Sequence, residues 1–127
     1  MVLLNDNRLF PADPTLRDIS RNLYEEVRDL PIISPHGHTD PQWFAKNEAF
    51  PDPAQLFVTP DHYVFRMLNS QGIPLEAMGV PRVDGGETEQ DPRKIWRVFA
   101  ENFFLFRGTP SQIWIEHAFQ EVLVSAN

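Results

Sequence analysis

Residues 30–41 read LPIISPHGHTDP. A short apolar run ends at a proline, and two of the chain's four histidines follow on either side of one glycine. Residues 31–34 are apolar enough for a strand. Pro35 cannot donate to a sheet ladder, so that strand must be ending there. In an extended segment, positions i and i+2 share a face. His36 and His38 can therefore aim both imidazoles at one point, with Gly37 allowing close approach. Imidazole is the commonest neutral metal ligand. Two histidines do not complete a site, since a catalytic metal usually takes three protein ligands and keeps a position open. Chance alone supplies about 0.12 such pairs in a chain of this composition. The spacing leaves two readings open, a pair of metal ligands or two solvated loop histidines. An apolar helix, a short strand and then His-Gly-His fit the start of a (β/α)8 barrel, whose active residues gather at the C-terminal ends of strands.

Outward from this stretch, prolines mark the organisation. Asp13-Pro14, Asp40-Pro41, Asp52-Pro53, Thr59-Pro60, Asp91-Pro92 and Thr109-Pro110 each read as a helix start. The Asp or Thr oxygen accepts from the first-turn N–H groups, and proline suits the first helical position. Thr109 and Gln112 add the capping-box spacing. Leu16, Ile19, Leu23, Val27 and Leu30 fall on one helical face, which predicts a helix over 14–30. Tyr63, Val64, Met67 and Leu68 repeat the pattern, with Gly72 as a stop. Ile95, Trp96, Phe99, Phe103 and Phe106 form a third stripe. Ile113, Trp114, His117, Phe119, Val122 and Leu123 belong to the last helix, where His117 reads as a packing residue. Short helical turns are expected after Pro41 and Pro53, with Asp40 as a cap, and an exposed loop over 80–90. The fold expected is mainly α, with about five to seven helices and one short strand.

Composition narrows the function. The 127 residues are 42% hydrophobic, with ten Phe, three Trp and two Tyr, enough for a packed core. The formal charge of −7 and the lack of a Lys/Arg run argue against nucleic acid. No apolar run approaches a membrane span. The absence of cysteine excludes disulfides and Cys-ligated metal. A cytoplasmic protein is the simplest expectation, with no nucleic-acid or membrane partner.

Two motifs together carry a resemblance. LPIISPHGHTDP, preceded by Asp29 and followed by TPDHYVFRMLNSQGI over residues 59–73, resembles the N-terminal part of the uronate (glucuronate) isomerase family of the amidohydrolase superfamily. The matching positions are Asp29 to Ile33, His36, His38, Asp40-Pro41, Asp61-His62-Tyr63, Arg66 and Met67. GTPSQIWIEHAFQEVL, residues 108–123, is also similar to a family segment. The resemblance implies a metal-dependent (β/α)8 barrel and an aldose–ketose isomerase. Its reactions take D-glucuronate to D-fructuronate and D-galacturonate to D-tagaturonate, by proton transfer between C2 and C1. It implies His36 and His38 as ligands of a divalent metal, usually zinc. It implies His62 and Tyr63 at the hexuronate, with Tyr63 taking part in proton transfer. Arg66 is a candidate partner of the substrate carboxylate, or else of a neighbouring Asp or Glu.

A complete barrel needs about 250 residues. The chain is therefore expected to be one N-terminal fragment, inactive alone. Its parts are a first helix at 14–30, barrel strand 1 with the histidine motif at 31–40, and a helical insert at 41–127. The family's third ligand, a late Asp, and its later arginines have no counterpart here. The remainder of the barrel is an expected partner. An unpaired strand edge and partly covered aromatic helix faces also predict homo-oligomers. Two alternatives stay open: another metal-dependent hydrolase of the superfamily, or a non-catalytic helical interaction module.

Overall fold

In the computed structural model of the chain, residues 4–34, 36–37 and 39–124 are described. They form two compact units, Met1–Lys46 with His117–Asn127, and Asn47–Glu116. All regular elements among the described residues are helical. No helix among them is long and apolar enough to cross a membrane.

The first unit is built on α1, Pro14–Glu25, and α2, Pro41–Lys46. Asp13 caps α1, its Oδ1 accepting from the Leu16 N–H at 2.9 Å, and Pro14 opens the helix. The preceding loop folds back on α1. Arg21 donates through Nε to Asn7 Oδ1 at 3.0 Å, and its guanidinium lies 4.7 Å over the Phe10 ring. Phe10 in turn meets Tyr24 edge-on at 6.0 Å. Leu4 N–H donates to Gln120 Oε1 at 3.0 Å, which ties in the π-helical segment Phe119–Val124.

Two expectations for this unit are corrected. The helix expected over 14–30 is α-helical only to Glu25, and turns continue it, with Leu30 N–H bonded to Val27 O. Pro31 has no N–H for the next helical bond and disfavours helical backbone at Leu30. The stripe Leu16, Ile19, Leu23, Val27 and Leu30 lies on the solvent side, each residue at least half exposed. No strand forms at 31–34 among the described residues. Ile32 and Ile33 are 93% and 90% exposed, since a strand needs a neighbouring ladder and none is offered.

The second unit holds α3 (Pro53–Phe57), α4 (His62–Ser70), α5 (Pro92–Glu101) and α6 (Pro110–Ala118), whose last two residues fall in the first unit. Its 3-10 turns are Leu75–Met78 and Phe103–Phe106. α3 packs on α5, and both 3-10 turns pack on α4 and α5. Phe99, Phe106, Leu68, Met78, Ile115, Val58 and Val64 are fully buried. Phe99 centres an aromatic cluster, 5.5 Å from Phe103 and 5.9 Å from Phe106. Each such burial stabilises by about 1.5–3 kcal/mol relative to exposure.

Helix ends here follow local chemistry. Asp52 and Asp91 cap α3 and α5 through bonds of 2.8 and 2.9 Å from Gln55 and Arg93 N–H groups. Asp40 Oδ1 accepts from Gln42 N–H at the start of α2, as expected of a cap. Thr109 and Gln112 form a variant of the capping box. Thr109 Oγ1 accepts from Gln112 N–H, and Gln112 Oε1 accepts from Gly108 N–H rather than from that of Thr109. α4 stops at Gly72, whose φ is +88°. Gly72 N–H reaches Asn69 O and Ile73 N–H reaches Leu68 O, the paired bonds of a left-handed glycine stop. Elsewhere the expectation shifts. α5 ends at Glu101, so Phe103 and Phe106 sit on a 3-10 turn rather than on the helix. Asn102 Nδ2 bonds back to Val98 O at that break. His117, expected to pack, is exposed.

Candidate functional site

The motif residues fall in both units. In the first, His36 is exposed. Its carbonyl accepts a 2.6 Å hydrogen bond from Ser34 Oγ, which turns the chain just before Gly37. His38, its expected co-ligand, lies outside the described residues. Among the described residues no group of three His, Cys, Asp or Glu side chains could hold a metal ion. The donor chemistry is right, an imidazole on an exposed loop, but these residues do not complete a cage.

In the second unit the Asp-His-Tyr motif opens α4. The Thr59-Pro60 pair does not start this helix. Asp61 is the cap, with φ −92° and ψ 107°, and His62 is the first helical residue. Thr59 Oγ1 donates instead to Met78 O at 2.8 Å, and so clamps the corner before α4 to the 75–78 turn. Asp61 Oδ1 accepts from the N–H groups of Tyr63, at 2.8 Å, and Val64, at 3.2 Å. The His62 and Tyr63 rings lie 4.3 Å apart, tilted by 32°. Tyr63 is 55% exposed, while Val64 and Leu68 on the same helix are fully buried. Arg66, one turn on from Tyr63, is exposed and makes no ion pair with any described residue. A phenol, an imidazole and a guanidinium thus stand on the outer side of one turn whose inner side is locked in the core. That set can hydrogen-bond a polyhydroxy acid and pair with its carboxylate.

A model of the glucuronate isomerase family matches residues 10–123. The chain belongs to that family. Curated uronate isomerases agree with the family assignment. The one from Brucella canis is 60% identical over 119 residues, covering 94% of this chain and 26% of its own length. The one from Rhizobium meliloti is 58% identical over 120 residues, with the same coverage. Among solved structures, the crystal structure of glucuronate isomerase from Caulobacter crescentus is similar at a TM-score of 0.85 and 55% identity, over 94% of this chain and 25% of that one. The chain therefore spans about a quarter of the length of the uronate isomerases it matches.

Two features of the second unit had no signal in the sequence. One is a cavity of about 580 Å³ between the starts of α3 and α5, lined by Pro53, Ala54, Arg93, Trp96 and Arg97. The other is a clamp on the exposed loop. Arg82 binds Glu76 at 2.7 Å and Asp84 at 2.8 Å. The Arg82 guanidinium, helped by the Gly86 N–H, holds the Asp84 carboxyl down at about 2. No motif connects the residues that either feature brings together.

Proposed function

We propose that this chain supplies the first quarter of a uronate isomerase. In this reading residues 31–40 form the first strand of a metal-dependent (β/α)8 barrel, and 41–127 its helical insert. What supports it above all is the family match across residues 10–123, which contains every motif position named above. The substrates are D-glucuronate and D-galacturonate, and the products D-fructuronate and D-tagaturonate. His36 and His38 hold a divalent metal, zinc by family habit, with further ligands from outside these residues. A divalent cation held there would supply Lewis-acid chemistry to the substrate.

This chain's own residues do the rest. Arg66 pairs with the uronate carboxylate and sets which end of the sugar faces the turn. His62 hydrogen-bonds a ring-opened hydroxyl. Tyr63 carries the proton: it leaves C2 as the C1 carbonyl oxygen is protonated, giving an enediol. Return of a proton to C1 with loss of the O2 proton yields the ketose. Such acid–base assistance contributes about 10²–10⁴-fold when the group is within hydrogen-bond reach. A cytoplasmic location goes with this chemistry.

The exposed apolar stripe of α1 favours an associated state, with the remainder of a barrel or with further copies of the chain. It also supports a second reading, a helical interaction module without turnover. One experiment separates them. D-glucuronate isomerisation is assayed, with and without zinc, for this chain and for the chain fused to the remaining three-quarters of the Rhizobium meliloti enzyme. Zinc-dependent activity in the fusion alone is expected. A folded fusion that turns over no uronate sinks the isomerase reading.

A further inference from the structure

Why does an aspartate precede the His62–Tyr63 pair? Neighbouring side chains on a helix do not face each other, since only residues three or four apart do. Yet these two rings lie 4.3 Å apart. The backbone beneath them is held from two sides. On one, Asp61 Oδ1 takes the N–H of Tyr63 itself and that of Val64. On the other, Val64 is fully buried and cannot swing. The Asp61 carbonyl also accepts from Val64 and Phe65 N–H groups, which completes the first turn. A capping side chain ordinarily stabilises a helix end and nothing more. Here the bonded amide belongs to the residue read as the proton carrier.

We propose that Asp61 is a positioning residue: its carboxylate, by bonding the Tyr63 and Val64 amides, sets the orientation of the His62 and Tyr63 rings. It need not touch substrate. The inference rests on the isomerase reading for its meaning, but its test does not use turnover. The role requires an acceptor oxygen rather than a negative charge, so Asn substitutes and Gly does not.

The test is NMR of the 127-residue chain, reading the ring-current shifts that the stacked His62 and Tyr63 rings impose on each other. Asp61→Gly removes both side-chain bonds at little cost in helix stability, because Gly is itself tolerated as a cap. Asp61→Asn keeps the acceptor. Asp52→Ala is the control, losing the side-chain cap of a different helix, α3. The expected result is loss of the mutual shifts in Asp61→Gly and Asp61→Ala, with retention in Asp61→Asn and Asp52→Ala. Asp61→Ala and Asp52→Ala should lose similar thermal stability, so stability alone does not account for the ring signal. Retained shifts in a folded Asp61→Gly, or equal loss in Asp52→Ala, overturn the proposal. Absence of isomerase activity in the fusion described above, with these ring effects intact, counts against the function proposed there and leaves the positioning role standing.

Discussion

Replacing Gly79 by alanine should cost far more than the same change at Gly72. Both glycines have positive φ, +74° and +88°. A non-glycine residue in that region costs about 1–2 kcal/mol. Around Gly72 a Cβ meets nothing within 4 Å, so the backbone cost is the whole effect. At Gly79 the added carbon would lie 2.9 Å from Ile95 Cδ1 and 3.2 Å from both Glu89 O and Thr59 Oγ1. Two of these neighbours are pinned. Thr59 Oγ1 is bonded to Met78 O at 2.8 Å, and the Glu89 N–H is bonded to Glu76 O at 2.9 Å. Ile95 is 4% exposed and can yield only by disturbing the core. Overpacking of this kind costs about 1–3 kcal/mol. Gly79→Ala should thus lose about 2–5 kcal/mol, against about 1–2 for Gly72→Ala. Urea unfolding followed by far-UV circular dichroism measures both, with equal m-values as the check on two-state behaviour. Equal losses at the two sites would show that the corner between Thr59, Met78 and Ile95 is looser than described. The same corner leads directly into Asp61, so Gly79→Ala should also blur the His62–Tyr63 ring signals.

Four further outcomes are expected. Tyr63→Phe in the zinc-loaded fusion should lower kcat about 100-fold or more while leaving uronate binding nearly unchanged, and kinetics with an unaltered kcat would remove Tyr63 from proton transfer. Because the folded carboxyl of Asp84 titrates below its ordinary value of 3.8, its contribution to stability is present above that value and lost as pH falls towards about 2. NMR titration should show this midpoint moving back up in Arg82→Gln, and an unchanged midpoint would discount the clamp. Ile19→Glu on the exposed α1 stripe should change stability by no more than about 0.5 kcal/mol but reduce self-association in light scattering. Metal analysis of the fusion should show zinc falling in both His36→Ala and His38→Ala, whereas full occupancy in either would reduce that histidine to a loop residue.

The sequence alone determined most of the helix starts and the identity of the motif residues. Caps act over three residues, so Asp13, Asp52 and Asp91, each followed by proline, could be read one at a time. The glycine stop after α4 is equally local. Tertiary structure decided whatever depends on distant partners. The Thr59 hydroxyl was committed to Met78 O, nineteen positions away, and the helix start passed to Asp61. Periodicity could say that Leu16, Ile19 and Leu23 share a face, but not whether another surface covers it, and here they remain exposed. The run at 31–34 has strand composition, and no ladder among the described residues completes it. Tyr63 and Val64 are adjacent and both suit a core, yet one faces solvent and the other is sealed. Burial is a property of what packs against a residue, and a hydrogen-bond donor goes to whichever acceptor the fold brings nearest, so neither is written in the spacing of residues along the chain.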